Sequence, residues 1–228
     1  MPATRFADRV EAGRRLGEEL REVGVVPGEE LREGGIVPGE ELRDRGIGGD
    51  DAIVLGIPRG GVVTAAEVAR MLGLPLDVAL ARKVGAPGNP ELAIGAVGPD
   101  GAAVIDESLA RRVGATGEWL AQAVEGEQRE VAERQRRFRD DRPPLDVTGR
   151  LTIVVDDGVA TGSTAVAVGR WLAGAGARRR VLAVPVAPPQ TAERLGDAYD
   201  DVVVLASPPT FFAVGGFYAD FRQVTDDE

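Results

Sequence analysis

From Ala52 onward the chain alternates short, unbroken apolar runs with stretches of helical pattern. The runs are AIVLGI (52–57), LDVALA (76–81), AAVI (102–105), LTIVV (151–155), VLAVPV (181–186) and DVVVL (201–205), and helices are expected near 62–72, 117–139 and 163–174. A strand wetted on one face would alternate polar and apolar residues, whereas a continuous Val/Ile/Leu run is buried on both faces. Parallel neighbours need a crossover, and helices between the runs supply it, so the pattern predicts a doubly wound, mostly parallel α/β sheet. Ligands bind such sheets beyond the carboxyl ends of the strands, which directs attention to the residues that follow each run.

The most informative of these is IVVDDGVATGSTA, residues 153–165. A buried strand ends in two adjacent acids, Asp156 and Asp157, and a turn of small residues then enters a helix at Ser163. Free backbone amides at a helix N-terminus, with the hydroxyls of Thr161, Ser163 and Thr164 around Gly162, form an anion cradle. Acids one step before that cradle suit sugar hydroxyls or a metal, so the combination asks for a phosphorylated sugar. Other phosphate motifs are missing: no GxGxxG occurs, and Lys83 is followed by Val84 rather than by Ser or Thr.

Composition narrows the chemistry further. There is no Cys and no His, which removes disulfides, thiolate or imidazole zinc sites, Cys nucleophiles and Ser-His-Asp triads. The formal charge of −10 repels phosphate backbones and anionic lipid, so neither nucleic acid nor membrane is an expected partner. No apolar run approaches the ~18 residues of a membrane span, and a cytoplasmic location is expected. Of 27 basic residues, Lys83 is the only Lys, which singles it out as a place where a compact ammonium matters.

Two regions lie outside the strand-helix alternation. Residues 2–23 carry Phe6, Val10, Leu16 and Leu20 in a rough helical stripe, followed by three 11-residue copies, GEELREVGVVP from Gly17, GEELREGGIVP from Gly28 and GEELRDRGIGG from Gly39. Pro27 and Pro38 break any helix at each period, so residues 1–50 read as a helix with a duplicated insert before a domain at 51–228. The other region is 85–101, rich in Gly and Pro, which reads as a mobile loop with a short apolar piece. Five of the ten aromatics, Phe211, Phe212, Phe217, Tyr218 and Phe221, crowd the C-terminus as either a packing lid or a stacking surface for a flat ligand.

Residues 153–165 resemble the 5-phosphoribosyl 1-diphosphate (PRPP) signature of type I phosphoribosyltransferases, and VVDDGVATGST is similar to the form found in adenine phosphoribosyltransferases. The resemblance extends over residues 52–222 through IPRGGV, ARKVGAPGNPELAIGAV and FFAVGGFYADF, and is nearest to a subgroup with no assigned acceptor. It implies the type I fold with a mobile loop and a C-terminal aromatic hood, Mg²⁺ as cofactor, and a homodimer acting on PRPP and a small heterocyclic acceptor. Asp156 and Asp157 would hold the ribose diol, and Ala160, Thr161, Gly162, Ser163 and Thr164 the 5-phosphate. Arg59, Gly60, Gly61, Arg82 and Lys83 would hold the diphosphate, with Arg59 and Lys83 also catalytic. The metal would sit near Asp156, Asp157 and Asp220, mostly through water and PRPP.

Glu91 would handle the acceptor's proton, and Phe217, Tyr218 and Asp220 would contact the acceptor. Hypoxanthine-type relatives carry Asp where this chain has Ala160 and Lys on a later strand where it has VLAVPV, so 6-oxopurine specificity is not implied. The expected reaction is transfer of the phosphoribosyl group to a nitrogen acceptor with release of diphosphate. The alternative is a PRPP-binding regulator without turnover; a PRPP synthetase-like kinase would need a longer chain, and an amidotransferase an N-terminal Cys.

Overall fold

A computed structural model describes residues 6–22, 52–139 and 143–225. Helix α1 (Arg9–Glu22) precedes β1 (Ala52–Gly56), α2 (Gly60–Leu72) and β2 (Leu76–Val78). An antiparallel unit follows, built from β3 (Arg82–Ala86), β4 (Asn89–Val97), β5 (Ala103–Ile105), α3 (Glu107–Arg112) and α4 (Gly117–Arg139). The chain then returns to β6 (Leu151–Val155), α5 (Ser163–Gly174), β7 (Arg179–Val186), α6 (Pro189–Leu195) and β8 (Asp201–Ala206), and ends in a 3₁₀ turn at Val214–Phe217.

The central sheet has five strands in the order β2-β1-β6-β7-β8, with every neighbour parallel. All five residues of β1 and of β6 are buried, as their unbroken apolar sequences require. Successive side chains serve opposite faces. Leu16 and Leu20 of α1, with Ala65 and Val68 of α2, pack on Val54, Ile153 and Val155; Val168, Trp171 and Leu172 of α5 pack on Leu55, Val154 and Leu182. Helices on both faces complete the doubly wound α/β architecture that the sequence predicts.

Helix α1 thus belongs to the same core as the domain expected to begin at residue 51. Its approach to α2 depends on glycine: a Cβ on Gly13 would lie 2.5 Å from the Thr64 carbonyl oxygen. The first repeat copy enters α1 as far as Glu22, while the copies from Gly28 and Gly39 lie outside the described residues.

Three expectations are corrected. LDVALA is a strand only over its first three residues, because β2 is an edge strand that leaves the sheet to begin the second unit. AAVI pairs with β4 in the three-stranded antiparallel sheet rather than joining the parallel one. The segment 85–101 is mostly hairpin rather than loop, since β3 and β4 pair from Arg82 opposite Val97 to Ala86 opposite Asn89. Its Gly and Pro residues are absorbed by register shifts around Gly85, where a Cβ would meet the Pro90 carbonyl oxygen at 2.7 Å. Ile94, Ala96 and Val97 are buried, and Ile94 and Val97 join a separate small core with Val84, Ala110 and Val131.

Gly13→Val is expected to lower stability by about 1–3 kcal/mol, because α1 cannot retreat from Thr64 without losing the Leu16 and Leu20 contacts. Urea unfolding measures it; a loss below about 0.5 kcal/mol would show that the helix pair tolerates the branched side chain.

Candidate functional site

Strand β6 carries Asp156 and Asp157 out of the buried sheet at its carboxyl end, next to the loop that leaves β1. That loop holds Pro58 and Arg59, joined by a cis peptide bond, and turns into α2 at Gly60. The two segments touch closely: a Cβ on Gly60 would fall 1.8 Å from Asp157 Oδ2, and one on Gly61 would fall 2.8 Å from the Asp156 Cα. The glycines are therefore required by the acid pair itself. The Asp157 amide donates to Asp156 Oδ1 at 2.8 Å.

The turn after the acids is pinned from both sides. The Val159 amide donates to the Val186 carbonyl at 2.9 Å, the Thr191 hydroxyl to the Ala160 carbonyl at 2.8 Å, and the Tyr199 hydroxyl to the Ala165 carbonyl at 2.7 Å. Gly162 precedes α5 with φ of 78°, a left-handed conformation that glycine adopts without steric penalty, and no side chain caps the helix. The first-turn amides lack a side-chain cap, and the Thr161 and Ser163 hydroxyls stand 3.4 Å apart at the start of the helix. Ala160, Thr161 and Thr164 are exposed. Ala160 to Thr164, the residues expected to hold a phosphate, thus lie on a turn pinned by hydrogen bonds with β7 and α6.

Electrostatics divides the acid pair. Burial first, and the neighbouring Asp157 charge second, push the Asp156 carboxyl well above its ordinary range. Asp157 instead meets Arg9, whose Nε lies 2.6 Å from Oδ2, and the two side chains are only 10% and 14% exposed. Arg9 was not among the residues singled out in the sequence. It stands in the polar part of α1, and the only signal was its position three residues after the stripe residue Phe6. Tyr218 adds another tie, its hydroxyl donating to the Asp157 carbonyl at 2.5 Å. Burial raises the Tyr218 hydroxyl as well, with the Asp157 charge adding to it.

The remaining expected residues divide into those near this site and those with other duties. Arg59 is exposed, on the loop that meets the acids. Arg82 and Lys83 are half-buried in β3; Arg82 pairs with Glu127 of α4 at 2.9 Å, and Lys83 sits opposite Ala96. Glu91 is placed in β4.

Phe217 and Tyr218 correct the expectation of acceptor contact, being only 7% and 2% exposed. They form an aromatic cluster with Phe6, Phe211 and Phe221, with ring centroids 5.4 Å apart for Phe6 and Tyr218, 5.2 Å for Phe211 and Phe217, and 4.9 Å for Tyr218 and Phe221. Backbone bonds tie the two chain ends there, from Phe6 to Phe217 and from Ala219 to Phe6, each 2.8 Å. Their faces are spent on packing. Phe212, in contrast, is 94% exposed. It lies two residues before Val214, whose Cγ1 would be 2.5 Å from a Cβ on Gly158 in the signature turn.

Asp220 is exposed, and its carboxylate accepts from the Arg222 amide at 3.1 Å. Among the described residues no group of three or more acids gathers to hold a metal, so Asp156, Asp157 and Asp220 do not form a cage. The acids present fit a cation carried mainly by a ligand's own phosphates, the habit of Mg²⁺. Among the described residues, no helix is long and apolar enough to cross a membrane.

Comparison with known proteins places these features in context. The model of the phosphoribosyl transferase domain matches residues 40–222. Proteins of two Mycobacterium tuberculosis strains, whose names give phosphoribosyl transferase as a provisional assignment, are 40% identical over 224 residues. That alignment takes in 98% of this chain and 45% of each of them, so the chain spans about half the length of the curated relatives it matches. The crystal structure of TT1426 from Thermus thermophilus superimposes with a TM-score of 0.81 at 41% identity, covering 98% of this chain and 94% of that one.

A stability test follows from the burial of Asp156. The folded chain holds this proton more tightly than the unfolded one, so the unfolded chain releases it first as pH rises above about 4. Stability contributed by the site then falls with pH until the raised folded value is passed. Asp156→Asn keeps an acceptor for the Asp157 amide and removes that loss. Its stability relative to the wild type, read by urea unfolding, is expected to rise as pH increases above about 4; a relative fall would mean that Asp156 is held ionised.

Proposed function

The chain belongs to the phosphoribosyl transferase family, and on that premise we propose that it transfers the 5-phosphoribosyl group of PRPP to a nitrogen of a small heterocycle, releasing diphosphate. The observation that carries this reading is the juxtaposition at the end of β6: an uncapped helix N-terminus with two hydroxyls, preceded by an acid pair against which the Arg59–Gly61 loop is packed. A phosphate at Thr161–Thr164 would receive the α5 amides, and the ribose of the same molecule would lie over the acids. Its diphosphate would extend toward Arg59, with Lys83 and Arg82 of β3 as further proposed counter-charges. Arg59 would supply a fork of charge-assisted donors.

No strong nucleophile from the protein is needed. The anomeric carbon ionises as the diphosphate leaves, so the protein's work is to hold the sugar, stabilise charge on the departing oxygens and keep water away. Asp156 and Asp157, with Asp220, would hold Mg²⁺ mostly through water and PRPP, and the ion would supply further neutralisation of the diphosphate charge. Glu91, placed in the β3–β4 hairpin, is the proposed acceptor for the proton that the heterocycle loses. Because Phe217 and Tyr218 are committed to packing, the acceptor's ring is assigned to the exposed face of Phe212.

PRPP with Mg²⁺ is expected to stabilise the folded chain by ~2.7 kcal/mol at a hundredfold excess over Kd, seen as a raised melting temperature. No shift at millimolar PRPP would refute the reading. A panel of heterocycles screened for diphosphate release then identifies the acceptor and separates turnover from binding alone. With that acceptor, Phe212→Ala is expected to raise its KM by roughly fivefold to tenfold, from the loss of about 1–1.5 kcal/mol of stacking. PRPP affinity should be unchanged; an unchanged acceptor KM would remove Phe212 from the site.

A further inference from the structure

The Arg9 side chain makes three contacts, one with the signature acid and two with the C-terminal segment. Its Nε donates to Asp157 Oδ2 at 2.6 Å, its Nη1 donates to the Arg222 carbonyl at 2.8 Å, and its guanidinium lies 3.9 Å from the Phe221 ring centroid. The ion pair also presses on α2, since a Cβ on Gly60 would come within 2.6 Å of Arg9 Nε. The signature acid, the loop after β1 and the C-terminal segment thus meet on one residue of α1. A buried ion pair repays its desolvation only when the geometry is good and further hydrogen bonds are made. Arg9 satisfies both conditions with a planar fork that Lys does not possess.

We propose that Arg9 is a positioning residue for PRPP binding: it fixes the Asp157 carboxylate at the mouth of the cradle and couples it to the C-terminal segment. The inference rests on the phosphoribosyl transfer proposed above. Arg9 takes one side of Oδ2, and a carboxylate has acceptor sites to spare on its other oxygen for a ribose hydroxyl. Without Arg9 the two adjacent acids would face each other with their nearest counter-charge removed. Asp157 would then turn from Asp156 and lose its orientation toward the sugar. Arg9 acts through Asp157, so its contribution to binding should vanish when Asp157 can no longer be held.

The test is PRPP affinity, measured by titration calorimetry with Mg²⁺ on the full chain. The variants are Arg9→Met, Arg9→Lys, Asp157→Asn and the combination of Arg9→Met with Asp157→Asn, each checked for native circular dichroism. Arg9→Met is expected to weaken binding by up to ~10²-fold, the scale on which a misplaced group acts. Arg9→Lys should recover part of that loss, because its ammonium still neutralises Asp157 but cannot also make the fork. The combined variant should bind no more weakly than Asp157→Asn alone, an interdependence that mere attachment of α1 would not produce.

Affinity of Arg9→Met within about twofold of the wild type would overturn the proposal, as would losses that multiply in the combined variant. If Arg9→Met fails to fold, the same cycle with Arg9→Lys decides, and multiplying losses there overturn it equally. A wild type that does not bind PRPP refutes the phosphoribosyl reading itself, whereas a wild type that binds and is insensitive to Arg9 removes only this inference.

Discussion

Two carboxylates leave the end of a fully buried strand side by side, and the neighbouring structure is shaped by that crowding of like charge. Asp156 and Asp157 repel each other, and burial together with that repulsion holds the Asp156 carboxyl above its ordinary range. Arg9 brings a counter-charge from α1, the loop after β1 gives up two side chains at Gly60 and Gly61 to make room, and Tyr218 closes the backbone from the C-terminal side. A cluster of this kind commits both ends of the chain to the site. Phe6 and Tyr218 are joined by a bridge between the two terminal segments, and Phe221 of the same aromatic cluster lies against the Arg9 guanidinium.

The two sheets divide the labour. The parallel sheet provides the rigid floor from which the cradle and the acids project, with β6 at its centre between β1 and β7. The antiparallel unit has its own small core and leans on α5, where the Arg170 guanidinium donates to the Ala93 carbonyl at 3.1 Å and Trp171 closely approaches Gly98. Because α5 begins at the cradle, the hairpin carrying Lys83 and Glu91 rests on the same helix whose N-terminus is offered to a phosphate. That shared support gives a physical basis for cooperation between residues from separate sheets.

Some residues carried their meaning in local sequence. Asp156 to Thr164 could be read because a strand end, a small-residue turn and a helix start are consecutive, so the chemistry depends on short-range geometry alone. Gly60 and Gly61, expected at a diphosphate, pack in the structure against the acid pair. In the segment 85–101 the Gly and Pro residues favour a loop when only local preference counts. Pairing with β3 and burial of Ile94, Ala96 and Val97 override that local preference. Phe217 and Tyr218 left two readings open, packing or stacking, and a side chain's neighbours across the fold decide between them.

By itself the sequence determined the doubly wound α/β class and the strand-turn-helix unit from Asp156 to Thr164, since both follow from periodicity and from contiguous residues whose backbone geometry is local. Tertiary structure decided which acid is paired, which aromatics are spent on packing, and that Arg9 reaches Asp157 across 148 positions of chain. Burial and ion pairing are properties of what surrounds a group. For Arg9 those surroundings are assembled only when α1, β6 and the C-terminal segment meet.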